Sequence, residues 1–71
     1  MNESIAKLVL MANQIAVNLA QEPDPAAATA EHIRLYWDPR MRAGIAQADQ
    51  ATLSDIARSA LALLAQPEAR A

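Results

Sequence analysis

Two Asp-Pro pairs, Asp24-Pro25 and Asp38-Pro39, constrain the fold of this chain more than any other sequence feature. Proline cannot continue a helix because it lacks a backbone N–H, yet its fixed φ suits the first position of a new helix. Aspartate is a preferred N-cap, and here it stands immediately before each of these prolines. Each pair therefore predicts the end of one helix and the start of the next.

The segments between these pairs are rich in alanine, with 18 Ala and a single Gly among 71 residues. Alanine has the highest helix propensity, and no segment alternates apolar and polar residues for long enough to predict a strand. We predict one all-α domain, residues 1–71, built as a small bundle of three main helices plus one short helix. The predicted helices cover approximately residues 4–20, 25–36, 39–48 and 53–65.

Apolar residues recur at helical spacing and predict which faces are buried. The first helix should bury Ile5, Leu8, Ala12, Ile15, Ala16 and Leu19; the second Ala26, Ala30, Ile33 and Trp37; the last Leu53, Ile56, Ala57, Ala60, Leu63 and Leu64. Thr52 and Asp55 have the spacing of a capping box, which predicts that Thr52 begins the last helix.

The composition argues against several classes of function. Without cysteine the chain has no disulfide, thiolate metal site or cysteine nucleophile, and one His with scattered carboxylates forms no recognisable metal set. A single Gly allows no phosphate-binding loop, and no serine has a nearby base. We expect a non-catalytic chain that itself holds neither cofactor nor metal.

The net charge of −2 offers no electrostatic basis for binding nucleic acid. The apolar segment 5–20 is interrupted by Asn13, Gln14 and Asn18, and it lacks the roughly 20 apolar residues of a membrane span. No secretory signal is visible. We expect a soluble cytoplasmic chain whose partners are neither nucleic acid nor membrane.

Residues 33–42 hold the only Trp, the only Tyr and three of the six basic residues. Trp and Arg are the residue types that dominate interface energetics. We predict that Trp37, Asp38 and Pro39 shape a corner between two helices, and that the three residues Arg40, Met41 and Arg42 contact a partner. Trp37 has a second interpretation, as a core anchor between the first and last helices.

Arg40 falls in the first turn of the predicted third helix, where the helix dipole disfavours a cation. A carboxylate of this chain or of a partner is therefore expected to hold it, and a bound anion is the alternative. Asn13 and Gln14 either face solvent or form hydrogen bonds, across an interface or to the turn at residues 37–39. Met11 beside them could be a flexible apolar contact, so these three residues complete the predicted partner-binding set.

Two blocks, residues 7–16 and 32–42, resemble the small delta subunit of cytoplasmic NAD-dependent formate dehydrogenase. The more specific block contains Trp37-Asp38-Pro39-Arg40-Met41, and the other contains Met11-Ala12-Asn13-Gln14-Ile15. Their spacing and the chain length also fit, so the resemblance covers essentially the whole chain. Leu10 departs from the pattern, in which a basic residue is common.

The resemblance implies an accessory subunit of a complex that oxidises formate to CO2 and passes electrons through iron–sulfur clusters to FMN and NAD. The large catalytic subunit of such a complex carries a molybdenum or tungsten bis-molybdopterin guanine dinucleotide cofactor, whereas the delta subunit carries no redox centre. The implied partners are the large catalytic subunit and the other subunits of the complex. The implied role is assembly, stability or cofactor loading.

Two alternatives remain open at this point. One is a transient maturation chaperone that binds the molybdenum guanine dinucleotide cofactor or the apo-enzyme, motivated by the possible anion site at Arg40. The other is a free-standing helical homodimeric interaction module.

Overall fold

The computed structural model describes residues 4–65, within which the chain forms four α-helices and one 3-10 turn, with no β-strand. The helices are α1 (Ile5–Asn18), α2 (Pro25–Tyr36), α3 (Pro39–Ile45) and α4 (Asp55–Ala65), and the 3-10 turn covers Gln50–Thr52. The predicted all-α fold is confirmed. The predicted domain, residues 1–71, extends beyond the described range.

Both Asp-Pro pairs begin helices as predicted. The carboxylate of Asp24 accepts a hydrogen bond from the Ala27 N–H at 3.2 Å, and that of Asp38 accepts one from the Met41 N–H at 2.8 Å. Proline occupies the first position of α2 and of α3. Each pair thus satisfies one of the free N–H groups at a helix start while ending the preceding segment.

The start of α4 differs from the prediction. The hydroxyl of Ser54, not of Thr52, accepts a hydrogen bond from the Ala57 N–H, at 3.2 Å. Thr52 belongs to the 3-10 turn, where its hydroxyl donates to the Asp49 carbonyl at 2.6 Å. Because Thr52 is held in that turn, the capping hydroxyl is that of Ser54, two residues later, and the predicted capping box at Thr52 is wrong.

Two helices end earlier than predicted. α1 ends at Asn18 rather than near residue 20, and α3 ends at Ile45 rather than near residue 48. After α3 the N–H groups of Gln47 and Ala48 donate to the carbonyls three residues earlier, at 3.1 and 3.0 Å. Hydrogen bonds to the third preceding residue form a tighter, 3-10-type turn, and the α-helix ends there.

The core lies where α1 meets the other three helices, and α2 packs most extensively on α4. Its large, almost fully buried side chains are Leu8, Ile33 and Ile45, each 0–1% exposed. The remaining buried residues are Val9, Ala12, Ala16, Thr29, Ala30, Trp37, Ala48, Leu53, Ala57 and Ala60. Nearly half of the buried residues are alanines, so the helices approach one another closely.

Some predicted burial is wrong at the edges of the helix faces. Ile5 is 40% exposed and Leu63 is 38% exposed, whereas Val9 is buried and Leu61 is half-buried. Val9 belongs to the buried cluster, so the buried face of α1 is wider on that side than its periodicity predicts. Buried Thr29 was not predicted, and its hydroxyl has no hydrogen-bond partner within the described part of the chain.

Within residues 4–65 no helix is long and apolar enough to cross a membrane.

Candidate docking surface at the α2–α3 corner

Trp37 forms the inner side of the corner between α2 and α3. It is only 6% exposed and belongs to the same buried cluster as Leu8 and Ile33. Its backbone is extended, which ends α2, and its N–H donates to the Ile33 carbonyl at 2.9 Å. Of the two interpretations of Trp37, the structure supports the core anchor, and the indole is not available for direct contact with a partner.

The outer side of the corner exposes large apolar side chains. Leu35 is 62% exposed and Tyr36 is 72% exposed, although both immediately precede the buried Trp37. The Tyr36 ring lies beside that of His32, with centroids 4.8 Å apart and planes tilted by 46°. Leu35 and Tyr36 were not among the predicted contact residues. Their exposure in the structure indicates an interaction surface, because large apolar side chains are usually buried.

The other predicted contact residues of the corner differ in exposure. Asp38, Pro39 and Arg40 are exposed, whereas Met41 and Arg42 are half-buried. The Met41 side chain packs against the buried cluster. Met41 is therefore partly committed to the core, and the surface presented by α3 is mainly cationic.

The two arginines of α3 have no carboxylate partner within residues 4–65. In this range the ion pairs are Arg34 with Glu31 and Arg58 with Asp55. Within residues 4–65 no carboxylate of this chain pairs with Arg40. Pairing of Arg40 with a partner's carboxylate stays a prediction.

The alternative, an anion bound at the start of α3, would have the Asp38 carboxylate as a close neighbour. The Asp38 carboxylate already accepts the Met41 N–H at this helix end. An incoming phosphate would meet that negative charge at short range. The N-terminus of α3 is thus capped by the chain itself.

Asn13 and Gln14 have separate roles, neither of them at the corner. The Asn13 amide donates to the Thr52 carbonyl at 3.0 Å, and its carbonyl oxygen accepts from the Ser54 N–H at 2.9 Å. Gln14 is exposed and donates to the Asn18 side chain at 3.1 Å. The predicted brace on residues 37–39 is therefore wrong, because α1 directs Asn13 toward the turn before α4.

Met11 is 36% exposed on α1. The same helix carries Leu10 and Val17, which are 71% and 66% exposed and share a face because they are seven residues apart. The predicted flexible contact at Met11 is thus accompanied by two more exposed apolar side chains, which were not predicted.

Two surface grooves accompany these side chains. One, with a volume of ≈ 440 Å³, lies between α3 and α4, and the other, of ≈ 550 Å³, lies between α1 and the 3-10 turn. Arg42 lines the first groove, and Leu10 and Asn13 line the second. The predicted contact residues therefore do not form one continuous patch.

Among residues 4–65 no group of three or more His, Asp or Glu side chains is arranged to hold a metal ion. The hydroxyls of Ser4 and Ser54 accept backbone hydrogen bonds as helix caps. What the described residues bring together at the corner is apolar and cationic surface.

Fold and surface together define a small all-α protein with an exposed apolar and cationic corner. A family model described as the NADH-dependent formate dehydrogenase delta subunit, FdsD, matches residues 7–61 of the 71-residue chain. The chain belongs to this family of formate dehydrogenase delta subunits, and the resemblance carried by residues 7–16 and 32–42 is confirmed. No curated protein and no solved structure matches it significantly. Family membership implies that the chain has partners in an oxidoreductase complex.

Proposed function

We propose that this chain is a non-catalytic accessory subunit that docks on the catalytic large subunit of a cytoplasmic NAD-dependent formate dehydrogenase. There it supports assembly, stability or cofactor loading. The observation that carries this proposal is the corner itself, where exposed Leu35 and Tyr36 end α2 and exposed Arg40, without a carboxylate partner in the described chain, begins α3. Aromatic residues and arginine are enriched at protein interfaces.

The corner is well suited to docking because contacts within the chain hold its backbone on both sides of the turn. Trp37 fixes the end of α2 in the core, and the Asp38 cap fixes the start of α3. Side chains held by a fixed backbone lose less conformational entropy on association.

In this proposal the redox groups belong to the other subunits. The bis-molybdopterin guanine dinucleotide with molybdenum or tungsten, the iron–sulfur clusters, FMN and the NAD site all lie outside this chain. The absence of cysteine from the sequence supports this division, because thiolates are the usual ligands of iron–sulfur clusters.

A double variant tests the docking role. Replacing Arg40 and Arg42 by Ala should lower the amount of large subunit that co-purifies with a tagged chain by about tenfold, since arginine is a frequent energetic hot spot. The matched control is Arg34→Ala on α2, where Arg34 already pairs with Glu31. If the double variant and the control recover equal amounts of the large subunit, the two arginines do not contribute to the interface.

The timing of association separates this proposal from the two alternatives. Stoichiometric retention in purified, active enzyme supports an accessory subunit, whereas presence only before cofactor insertion supports a maturation chaperone. The chaperone has less support, because the anion site that motivated it is capped by Asp38. A folded dimer that forms without any formate dehydrogenase subunit would support the free-standing module.

A further inference from the structure

The groove between α3 and α4 is lined mainly by apolar side chains and by one arginine, Arg42, that has no ion pair within residues 4–65. Its volume is ≈ 440 Å³, and its apolar lining includes Ala43, Ala46, Leu61 and Leu64. Leu61 and Leu64 are only half-buried against the core. Ala43 and Ala46, on the α3 side of the groove, have small side chains that fill little of this space.

The two arginines that line this groove, Arg42 and Arg58, differ in their polar partners. The Arg58 guanidinium pairs with Asp55 and also donates to the Gln50 and Leu53 carbonyls, at 3.3 and 3.0 Å. Arg42 also lines the groove and is half-buried, yet it has no ion pair or side-chain hydrogen bond within residues 4–65. A partly desolvated cation beside apolar side chains is stabilised most by pairing with a carboxylate.

The dimensions of the groove fit a helix. On α4 the lining extends from Arg58 to Ala65, which corresponds to about 10 Å or two helical turns. An amphipathic helix presents apolar anchors at i, i+3 or i+4, and i+7, so about two turns of it would contact a groove of this length.

We propose that the α3–α4 groove receives an amphipathic helix of the partner subunit. Its apolar side chains pack between Ala43 and Leu61, and an Asp or Glu on it pairs with Arg42. This inference rests on the proposed docking function. It adds the groove, which Arg42 of α3 lines, to the docking surface that begins at the α2–α3 corner, and it states the chemistry that the groove recognises.

A steric pair of variants tests occupancy of the groove. Ala43→Trp places an indole in the groove, whereas Ala27→Trp makes the same change at an exposed position of α2 that does not line it. We expect Ala43→Trp to lower co-purification of the large subunit by about tenfold or more and Ala27→Trp to leave it nearly unchanged.

A charge pair tests the carboxylate. Arg42→Gln should reduce binding of the large subunit by about tenfold, and Arg34→Gln should not, because Arg34 is already paired on the surface. Cross-linking at the groove rim identifies the partner peptide, and it should contain an Asp or Glu. Replacing that acidic residue by Lys should restore binding to an Arg42→Glu chain.

Thiol protection gives a readout that does not depend on weakening the complex. The sequence has no cysteine, so Ala62→Cys in the groove and Ala27→Cys outside it each add a single thiol to this chain. Modification by N-ethylmaleimide, quantified on this chain by mass spectrometry, should slow by about tenfold or more at position 62 in the complex and not at position 27.

The outcomes separate the groove from the docking function. If the unsubstituted chain does not co-purify with the large subunit, the proposed function fails. If it co-purifies and the thiols at positions 62 and 27 react at equal rates in the complex, the groove is not the interface, although the docking function stands. Protection at position 62 already in the free chain would assign the groove to this chain or to a second copy, and would also overturn the proposal.

Discussion

At the residue scale, Asn13 shows how a residue that is unfavourable in a helix can be informative. Asn disfavours a helix interior because its side chain competes for backbone groups. Here the side chain instead satisfies one carbonyl and one N–H, of Thr52 and Ser54, 39 and 41 residues away in the sequence. One side chain thereby joins the middle of α1 to the start of α4.

Asn13→Ala should lower the free energy of unfolding by about 1–3 kcal/mol, because two backbone groups of the turn before α4 lose their partners. Gln14→Ala is the matched control; its only side-chain bond in the described chain is to Asn18 on the surface, and its effect should stay within about 0.5 kcal/mol. Urea unfolding followed by circular dichroism measures both. Equal effects would mean that the link to the turn contributes nothing to stability.

At the scale of elements, α3 is the least autonomous helix, because seven residues form fewer than two full turns. Its position depends on close packing against α1 at Gly44. A Cβ added at Gly44 would lie 2.8 Å from Cδ1 of Leu8, and Leu8 is 1% exposed. Gly44, which weakens the helix by about 1 kcal/mol relative to Ala, thus permits the contact that holds the helix in place.

Gly44→Ala should therefore destabilise the protein by about 1–3 kcal/mol despite the gain in helix propensity, because buried Leu8 has little room to move. The Leu8→Val background removes the clashing Cδ1 atom, and there the same substitution should cost less or become favourable. A double-mutant cycle by thermal or urea unfolding measures this coupling. Additive effects on the free energy of unfolding would show that Leu8 moves aside for the added Cβ without destabilising the protein.

At the scale of the whole molecule, the corner between α2 and α3 is built on the core, because one of its residues is buried there. Trp37 lies in the buried cluster, while the neighbouring Leu35 and Tyr36 remain exposed. Unfolding the core would also disorganise the outer surface of the corner, since the same turn carries both. Stability and docking should therefore be coupled.

The single Trp shows whether the corner unfolds together with the helices. Since Trp37 is 6% exposed, the fluorescence of the folded chain should be blue-shifted and poorly quenched by acrylamide. On urea unfolding it should shift to the red at the same denaturant concentration at which the helical circular dichroism signal is lost, as in a two-state transition. A solvent-like emission from the helical chain would place the indole outside the core and contradict the core-anchor role.

The local sequence was sufficient wherever local chemistry determines the structure. The two Asp-Pro pairs predicted where α2 and α3 begin, since proline and an aspartate N-cap act within three residues. The prediction failed for Thr52, whose spacing to Asp55 suits a capping box, because packing of the chain into a 3-10 turn moved the cap to Ser54. The local sequence allowed an N-cap at Thr52 or at Ser54, and the tertiary structure determined which of the two caps α4.

The sequence by itself determined that this protein is helical, where two of its helices begin, and to which family it belongs. These properties depend on propensities, caps and residue identities that act within one or two turns. Only the tertiary structure decided that Trp37 faces inward, that Asn13 binds the turn before α4, and that Arg42 lines a groove without a carboxylate partner in the described chain. Those outcomes depend on how helices distant in sequence pack together, and helical periodicity gives the face of a side chain but not the neighbour that it meets.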